Sequence, residues 1–162
     1  MTPRAVAVPQ NAFLSRHVGQ GANYTDCYEV AVSGRVDLAQ FITRFYTTWL
    51  FRLERLVLSV GLRRRIADTE VAALAAGAQG FAIWRVEARE EGQILLCDLR
   101  GGTCSWLAVA PGEAGDTRLL FGSAVMAPPG RELPRIVRIL TPFHKRYARS
   151  LLRAAARKLR KG

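Results

Sequence analysis

Apolar residues between Leu38 and Val60 recur at steps of three and four, which is the spacing of one buried face of an α-helix. Asp37, with Gln40 three residues later, forms a capping-box pattern at the start of this segment. The spacing therefore predicts one long helix from Leu38 to about Val60. Trp49 lies at the centre of the apolar stripe, so we expect its side chain to be among the most buried in the protein.

A second helical pattern fills the C-terminal part of the chain. Pro134 suits the first turn of a helix, whereas Pro142 removes one helix hydrogen bond, so we expect a kink or a fresh start there. A shorter helix is predicted between Asp68 and Gly77. The buried stripe of the long last helix is predicted to consist of Ile136, Leu140, Phe143, Tyr147, Leu151 and Ala155.

Elsewhere the pattern is that of strands. Residues 23–32 are rich in aromatic and β-branched side chains, and their alternation places Tyr24, Asp26 and Tyr28 on one face. The connections among the later strands are too short for a parallel crossover, so we expect an antiparallel meander. Its four predicted strands are residues 81–89, 93–99, 103–110 and 117–126.

The sequence leaves open how the first two strands of the meander pair. One alignment across their turn pairs Arg85 with Asp98, and a bulged alignment pairs Trp84 with Asp98. A slip of one residue exchanges the two faces of a strand. In either alignment Trp84, Val86 and Ala88 form an uncharged face, so we expect Trp84 to point inward.

Composition and charge narrow the class of protein. The 162 residues suit one domain, and residues 131–162 hold 11 basic groups and one acidic group, so most of the net charge of +11 lies there. This basic end is either a solvated helix face or a surface that attracts nucleic acid or an anionic membrane.

No apolar run approaches the roughly 18 residues of a membrane-spanning helix. Residues 1–17 lack the apolar block of a secretory signal, so we expect a cytoplasmic protein.

The cysteines and histidines predict no metal site and no cofactor. Cys27, Cys97 and Cys104 include no C-x-x-C pair, and the chain has only His17 and His144 to join them. An odd number of cysteines also argues against a disulfide framework. Each cysteine lies in an apolar, strand-like run, so we expect three buried and inert thiols.

A carboxylate flanked by two phenols interrupts the otherwise apolar face of the first long strand. Asp26, between Tyr24 and Tyr28, is suited to act as a general base or to orient a polar group of a ligand. The simpler alternative is an aspartate that is solvated or hydrogen-bonded to a neighbouring tyrosine. His144, beside Phe143, either makes one structural hydrogen bond at the edge of the core or reaches from the helix into a pocket.

The order of elements, with a strand, helices, an antiparallel meander and a long last helix, resembles the helix-grip fold of the SRPBCC superfamily. This superfamily includes START domains, Bet v 1-like proteins and polyketide cyclases. Residues 141–155, TPFHKRYARSLLRAA, look like the closing helix of a bacterial group within it, and residues 52–57, RLERLV, are similar to its first long helix. The resemblance implies an α+β fold in which a curved antiparallel sheet grips the C-terminal helix. Helix-grip domains commonly have six strands after the helices, whereas this sequence shows four, so either the sheet is abbreviated or one predicted strand bends into two.

The prolines and glycines of the first 21 residues, together with the extent of the resemblance, set the expected division of the chain. Residues 1–21 are expected to form an irregular N-terminal arm with a short edge strand at 5–8. Residues 22–156 are expected to form a single helix-grip-like domain, and residues 157–162 a basic tail. The last helix, around Leu140 and Phe143, is expected to close the interior.

Three functional hypotheses follow. The resemblance implies a cavity between the sheet and the last helix, and the leading hypothesis is the binding there of an apolar or amphipathic small molecule without catalysis. The second is a cyclase, dehydratase or isomerase that uses Asp26 and His144, and the third is contact with nucleic acid or an anionic membrane through the basic helix. The candidate ligand-binding residues are Tyr24, Asp26, Tyr28, Trp84, Phe143 and His144.

Overall fold

A single antiparallel sheet of seven strands forms the centre of the protein, in the order β1-β2-β7-β6-β5-β4-β3. It is seen in a computed structural model that describes residues 2–52 and 67–160. The strands are β1 (Arg4–Ala5), β2 (Tyr24–Val32), β3 (Gly80–Phe81), β4 (Trp84–Glu90), β5 (Gln93–Asp98), β6 (Thr103–Pro111) and β7 (Thr117–Val125).

Within residues 2–52 and 67–160, three α-helices that are described from end to end accompany the sheet: α1 (Leu38–Tyr46), α2 (Asp68–Ala75) and α3 (Arg135–Leu159). The predicted capping box is present, because the Asp37 carboxylate accepts a hydrogen bond from Gln40 N and the Gln40 side chain accepts one from Asp37 N. The α+β class, with a curved sheet and a long C-terminal helix, is confirmed. In the described part of the chain, five strands follow α1, because the predicted strand at 81–89 bends into the two strands β3 and β4.

The predicted helix from Leu38 to Val60 is interrupted. α1 ends at Tyr46, and a new helical segment begins at 49, where Thr48 Oγ1 accepts a hydrogen bond from Phe51 N at 3.2 Å and thereby caps it. This break rotates Trp49 out of the apolar stripe. Its side chain is 69% exposed, so the prediction that it is deeply buried is wrong. Positions 53–60 of the predicted helix lie outside the described residues.

The last helix is continuous through Pro142, where a kink or a fresh start was expected. Its second half is buried through Ala148, Leu151, Leu152, Ala155 and Ala156. Its first half is not buried: Leu140 is 51% exposed and Phe143 is 67% exposed. The prediction that these two residues close the interior is therefore wrong. The closing contacts lie in the second half of the helix, from Ala148 onward, where α3 packs on β2 and α1.

A bulge within β4 decides which residues face the helices. Trp84 pairs with Asp98, as in the bulged alignment, but the irregularity lies between Val86 and Ala88 and not at the turn. Trp84 and Val86 pack on the helix side as expected, whereas Ala88 faces the opposite side of the sheet. Arg89 consequently reaches α2, where its guanidinium donates hydrogen bonds to carbonyls near the end of that helix.

Apolar residues cover both faces of the sheet. On the helix face, residues of β2, β5, β6 and β7 pack against the three helices in what we call the helix-side core. On the arm face, the N-terminal arm supplies a short 3₁₀ helix, Phe13–His17, whose Leu14 is fully buried in a second cluster. This arm-side core contains Ala12, Leu14, Cys27, Leu95, Cys97, Cys104, Trp106, Ala108, Leu120 and Ala124.

The cysteines differ from the sequence expectation in one respect. Cys27 is a buried free thiol, as expected, and burial raises its pKa to about 12. Cys97 and Cys104 lie opposite each other on β5 and β6 and form a disulfide, so the expectation of three inert thiols is wrong.

Within residues 2–52 and 67–160, the helices are too short or too polar to cross a bilayer.

Trp49 and Phe45 provide a matched test of the interrupted helix. Phe45 is 1% exposed and contacts the rings of Phe41, Tyr46 and Phe121. We expect Phe45→Ala to lower the free energy of unfolding by about 3–5 kcal/mol and Trp49→Ala to change it by less than about 1 kcal/mol. Urea unfolding followed by circular dichroism measures both. Equal losses in the two variants would contradict the break at residues 47–48.

Candidate functional site

Polar side chains form one row across the helix face of the sheet. Asp26 on β2 pairs with Ser123 on β7, which in turn pairs with Ser105 on β6. Residues directly opposite each other in neighbouring strands point to the same face, so the strand register brings these groups together. The row continues to α1, because the Tyr46 hydroxyl lies 3.3 Å from Ser105 Oγ.

The Asp26 carboxylate is the centre of this site. Its side chain is only 8% exposed, and four neighbouring polar groups contact it. Ser123 Oγ donates to Oδ1 at 2.5 Å, and the Tyr24 hydroxyl donates to Oδ2 at 2.8 Å. The Tyr28 hydroxyl donates to the same Oδ2 at 3.3 Å, so both predicted tyrosines contact Asp26. The buried carboxylate is thus surrounded by hydrogen-bond donors, as burial of a charge requires.

His144 on α3 completes the site from above the sheet. Its Nε2 lies 2.8 Å from Ser123 Oγ and 3.5 Å from Asp26 Oδ2, and its ring meets the Tyr24 ring edge-on. Because Ser123 gives its hydroxyl hydrogen to Asp26, Nε2 must carry a hydrogen and donate it to Ser123 Oγ. The hydrogen bonds therefore form a chain from the imidazole of His144, which is about one-third exposed, through the buried hydroxyl of Ser123 to the buried carboxylate of Asp26.

This arrangement is not that of a serine nucleophile. In a nucleophilic triad the imidazole accepts the hydroxyl proton, and the carboxylate holds the other ring nitrogen. Here the Asp26 carboxylate accepts a hydrogen bond directly from the Ser123 hydroxyl. It also lies beside Nε2 of His144, the same ring nitrogen that contacts Ser123. Ser123 is also only 6% exposed. The site is suited to binding a polar group or to moving a proton, and not to attack by Ser123.

Opposing effects set the pKa of Asp26. Burial raises the pKa of the carboxyl, but hydrogen bonds from His144, Ser123 and Tyr24, together with the charge of His144, outweigh burial and leave it below its ordinary value. Burial and the neighbouring carboxylate raise the pKa of Tyr24 above its usual range and that of Tyr28 to about 12. Both phenols therefore remain protonated donors at neutral pH.

Two of the six predicted site residues lie apart from the Asp26 site. Trp84 is on the helix face but on β4, four strands from β2, which corresponds to about 19 Å across the sheet. Phe143 precedes His144 on α3, yet its ring is 67% exposed and lies outside the helix-side core. The site as found therefore joins Tyr24, Asp26, Tyr28 and His144, while Trp84 and Phe143 border other parts of the same face.

Ser123 and Arg149 are the site residues that sequence reasoning missed. Ser123 bridges Asp26 and His144, and the Arg149 guanidinium lies over the Tyr28 ring, 5.2 Å from its centre. A polar residue inside the otherwise apolar run at 119–125 was the available signal for Ser123. The sequence does not show that Ser123 lies opposite Asp26, because this depends on the pairing of β2 with β7, which are far apart in the chain.

Two open clefts lie away from the Asp26 site. One, of about 530 Å³, lies between residues 20–23 and the segment 126–132 that follows β7. The other, of about 460 Å³, is on the arm face and is lined by residues that include Glu29 and Trp106. Neither cleft is lined by Asp26 or His144.

A second group of chemically active side chains lies on the arm face. His17, at the end of the 3₁₀ helix, has its Nε2 3.9 Å from Cys104 Sγ, beside the disulfide with Cys97. Burial and the charge of Arg16 lower the pKa of His17. The two histidines of the chain thus lie on opposite faces of the sheet.

A scan against protein-family models and a search of curated proteins each returned no match to this chain.

The lowered pKa of Asp26 makes a prediction about acid stability. A carboxyl with a lowered pKa in the folded state stabilises the fold at neutral pH, and this stabilisation is lost as the pH falls through the folded pKa. We expect Asp26→Asn to be about 1–3 kcal/mol less stable than the wild type at pH 7, and the difference to shrink between about pH 5 and pH 2.

Urea unfolding at a series of pH values measures this difference. Glu91→Gln is the control, because Glu91 is exposed in the turn between β4 and β5. A stability gap for Asp26→Asn that stays constant down to pH 2, or one matched by Glu91→Gln, would contradict the role of Asp26.

Proposed function

We propose that the protein binds an apolar or amphipathic small molecule on the helix face of the sheet, beside the first half of α3. The observation that carries the proposal is the exposed apolar side of α3, which adjoins the buried Asp26 site. Isolated exposed apolar residues are ordinary, but a contiguous set is typical of a binding surface. The exposed members of this set are Ile136, Ile139, Leu140 and Phe143.

The direction of this apolar side follows from a contact at the other end of the helix. Lys158 Nζ donates a hydrogen bond to the Thr47 carbonyl at 2.7 Å, so its side of α3 is turned toward the end of α1. Leu140 precedes Lys158 by 18 residues, which is five turns of 3.6 residues, and therefore lies on the same side. α3 packs on β2 and β7, whereas α1 packs on β6. The apolar side of α3 thus faces along the sheet, from β7 toward β6 and β4.

The helix face in that direction offers polar groups for a ligand. Among the described residues, the Trp84 indole nitrogen is buried without a hydrogen-bond partner. A buried donor left unpaired costs about 1–3 kcal/mol, and an acceptor on a ligand would remove that cost. At the other end, His144 is about one-third exposed and connects to Asp26 through Ser123. Apolar walls with a few polar groups are the usual composition of small-molecule sites.

The resemblance to helix-grip proteins supports the same proposal at the level of the fold. A curved sheet with a long helix across one face is the arrangement that the resemblance implies, and a ligand between them is what it leads us to expect. Fold analogy alone is a weak argument for function, so the proposal depends on the exposed side of α3 and on the polar groups beside it.

Phe143→Glu tests ligand binding without threatening the fold, because the ring is largely exposed. We expect the wild-type protein to bind Nile red, a neutral apolar dye, and to release it when a fatty acid, an isoprenoid alcohol or a polycyclic aromatic occupies the site. Native mass spectrometry of the same mixtures identifies the ligand retained. Phe143→Glu should weaken dye binding at least tenfold.

Val18→Glu is the matched control, because Val18 is an exposed apolar residue of the N-terminal arm. It adds the same charge at a different place and should leave dye binding unchanged. Wild-type protein that binds neither the dye nor any ligand of the panel would contradict the proposal. An equal loss of binding in both variants would place the site elsewhere.

A second candidate function is acid–base catalysis on the bound molecule. The observation that favours it is the pairing of His144 with Asp26, with 3.5 Å between Nε2 and Oδ2 and with Ser123 between them. With Nε2–H directed at Ser123, the other ring nitrogen of His144, Nδ1, is the atom that can give a proton to a ligand and take it back. Such a site suits an isomerase, a cyclase or a dehydratase.

His144→Gln separates catalysis from binding. Each ligand found by mass spectrometry is incubated with the wild type, and its mass and chromatographic retention are followed over time. We expect the wild type to convert the ligand, and His144→Gln to bind it within about threefold of the wild-type affinity but to leave it unconverted. A ligand that the wild type leaves unchanged in mass and retention would contradict the catalytic candidate.

A further inference from the structure

We propose that Cys97 and Cys104, when reduced, join His17 to form a site for a thiophilic metal ion such as Zn²⁺ on the arm face, and that oxidation to the disulfide closes this site. The proposal is independent of the ligand site on the helix face. It rests on a cysteine pair from two neighbouring strands and on a histidine far from them in the sequence, which meet at one point of the fold.

The three donor atoms are close enough to share one ion. The sulfur atoms of Cys97 and Cys104 and a ring nitrogen of His17 lie within 4.8 Å of one another. In a tetrahedral zinc site, with bonds of about 2.3 Å to sulfur and 2.0 Å to nitrogen, neighbouring donors are separated by roughly 3.5–4 Å. His17 Nε2 is already 3.9 Å from Cys104 Sγ. The two sulfur atoms have to separate, and breaking their bond allows this.

The strand register holds the two cysteines in place. Cys97 and Cys104 are direct partners on β5 and β6, so their side chains leave the same face of the sheet side by side. They are 9% and 2% exposed, respectively, and belong to the arm-side core. Regular strands therefore position both sulfur atoms, as a defined metal site requires.

The N-terminal arm delivers His17 to the same point. Leu14, one turn earlier in the 3₁₀ helix, is fully buried and packs over Gly122, where a Cβ atom would approach its side chain to 2.5 Å. The Gln93 amide accepts a hydrogen bond from Phe13 N at 2.9 Å and donates one to the Asn11 carbonyl at 3.0 Å. The arm is thus tied to the sheet on the N-terminal side of His17.

Two thiolates and one imidazole suit a soft or borderline ion. Sulfur and imidazole ligands select Zn²⁺ and Cu⁺ over the hard ions Mg²⁺ and Ca²⁺. Three protein ligands leave the fourth tetrahedral position to water, as in zinc sites that remain open.

The conversion between the disulfide and the metal-bound dithiol conserves atoms and electrons. A dithiol reductant gives two electrons and two protons to the Cys97–Cys104 disulfide, which becomes two thiols while the reductant becomes a disulfide. Zn²⁺ then displaces the two thiol protons and binds both sulfur atoms and the His17 nitrogen. In the reverse direction, the ion leaves and the two thiolates give two electrons to a disulfide oxidant, which takes up two protons from water and becomes two thiols, while the Cys97–Cys104 bond forms again.

Metal titration of the two redox states tests the proposal. Full-length protein is reduced with a phosphine, freed of reductant under nitrogen and titrated with Zn²⁺ against a coloured chelator. A parallel sample keeps its disulfide. We expect one equivalent of Zn²⁺ to bind the reduced protein and none to bind the oxidised protein. With Co²⁺ in place of Zn²⁺, thiolate-to-metal charge-transfer absorption should appear in the reduced sample alone.

Matched variants assign the ligands. His17→Gln should weaken Zn²⁺ binding at least about tenfold, a loss within the range that even outer-shell changes cause, whereas His144→Gln on the helix face should have no effect. Cys97→Ser should abolish the charge-transfer band, whereas Cys27→Ser should preserve it, because Cys27 is buried in the same core but is not one of the three clustered donors.

Three results would overturn the proposal. Reduced protein that binds less than about half an equivalent of Zn²⁺ would show that no such site forms. Equal binding by reduced and oxidised protein, or equal losses in His17→Gln and His144→Gln, would place the metal elsewhere. Circular dichroism of each variant confirms that it is folded, and a variant that unfolds is replaced by His17→Asn or Cys104→Ser.

Discussion

Both faces of the central sheet carry apolar side chains, and each face has to be shielded from water by a different part of the chain. The helices cover one face, and the N-terminal arm, with Leu14 set against Gly122, covers the other. Burial of apolar surface contributes roughly 25 cal/mol per Å², so an uncovered face would be a large cost for a domain of this size. The positions of α3 and of the arm follow from this constraint.

The same constraint explains why Asp26 has so many partners. Its strand alternates strictly, so a residue between Tyr24 and Tyr28 has to face the helix-side core. A carboxylate in that position is tolerated only if donors replace the water it has lost, and Ser123, His144 and the two tyrosines provide them.

Local patterns in the sequence predicted most of the fold. The capping box at Asp37, the alternation of β2 and the short connections that make the meander antiparallel each depend on neighbouring residues, and each was found as expected. The errors arose where distant residues decide. Apolar spacing alone cannot show that Thr48 starts a new helix, or that the first half of α3 is left without cover.

The site was predictable in part for the same reason. Tyr24, Asp26 and Tyr28 share a face by simple alternation, and His144 lies near the edge of the buried stripe of α3. Ser123 and the Cys97–Cys104 pair required the strand register, which depends on the packing of the whole sheet. The bulge between Val86 and Ala88 changes the register of β4 against β5, and no residue of the turn between these strands indicates it.

The pairing of β2 with β7 also determines the order in which the protein can form. Tyr24 and Val125 are partners although they are roughly a hundred residues apart, and closing so long a loop is slow because entropy is lost before contacts are gained. On the ribosome, β2 emerges long before β7, and until then it can pair only with the two residues of β1. Until then, the apolar strand 24–32 needs protection from aggregation, so the nascent chain is expected to depend on chaperones more than the finished protein does.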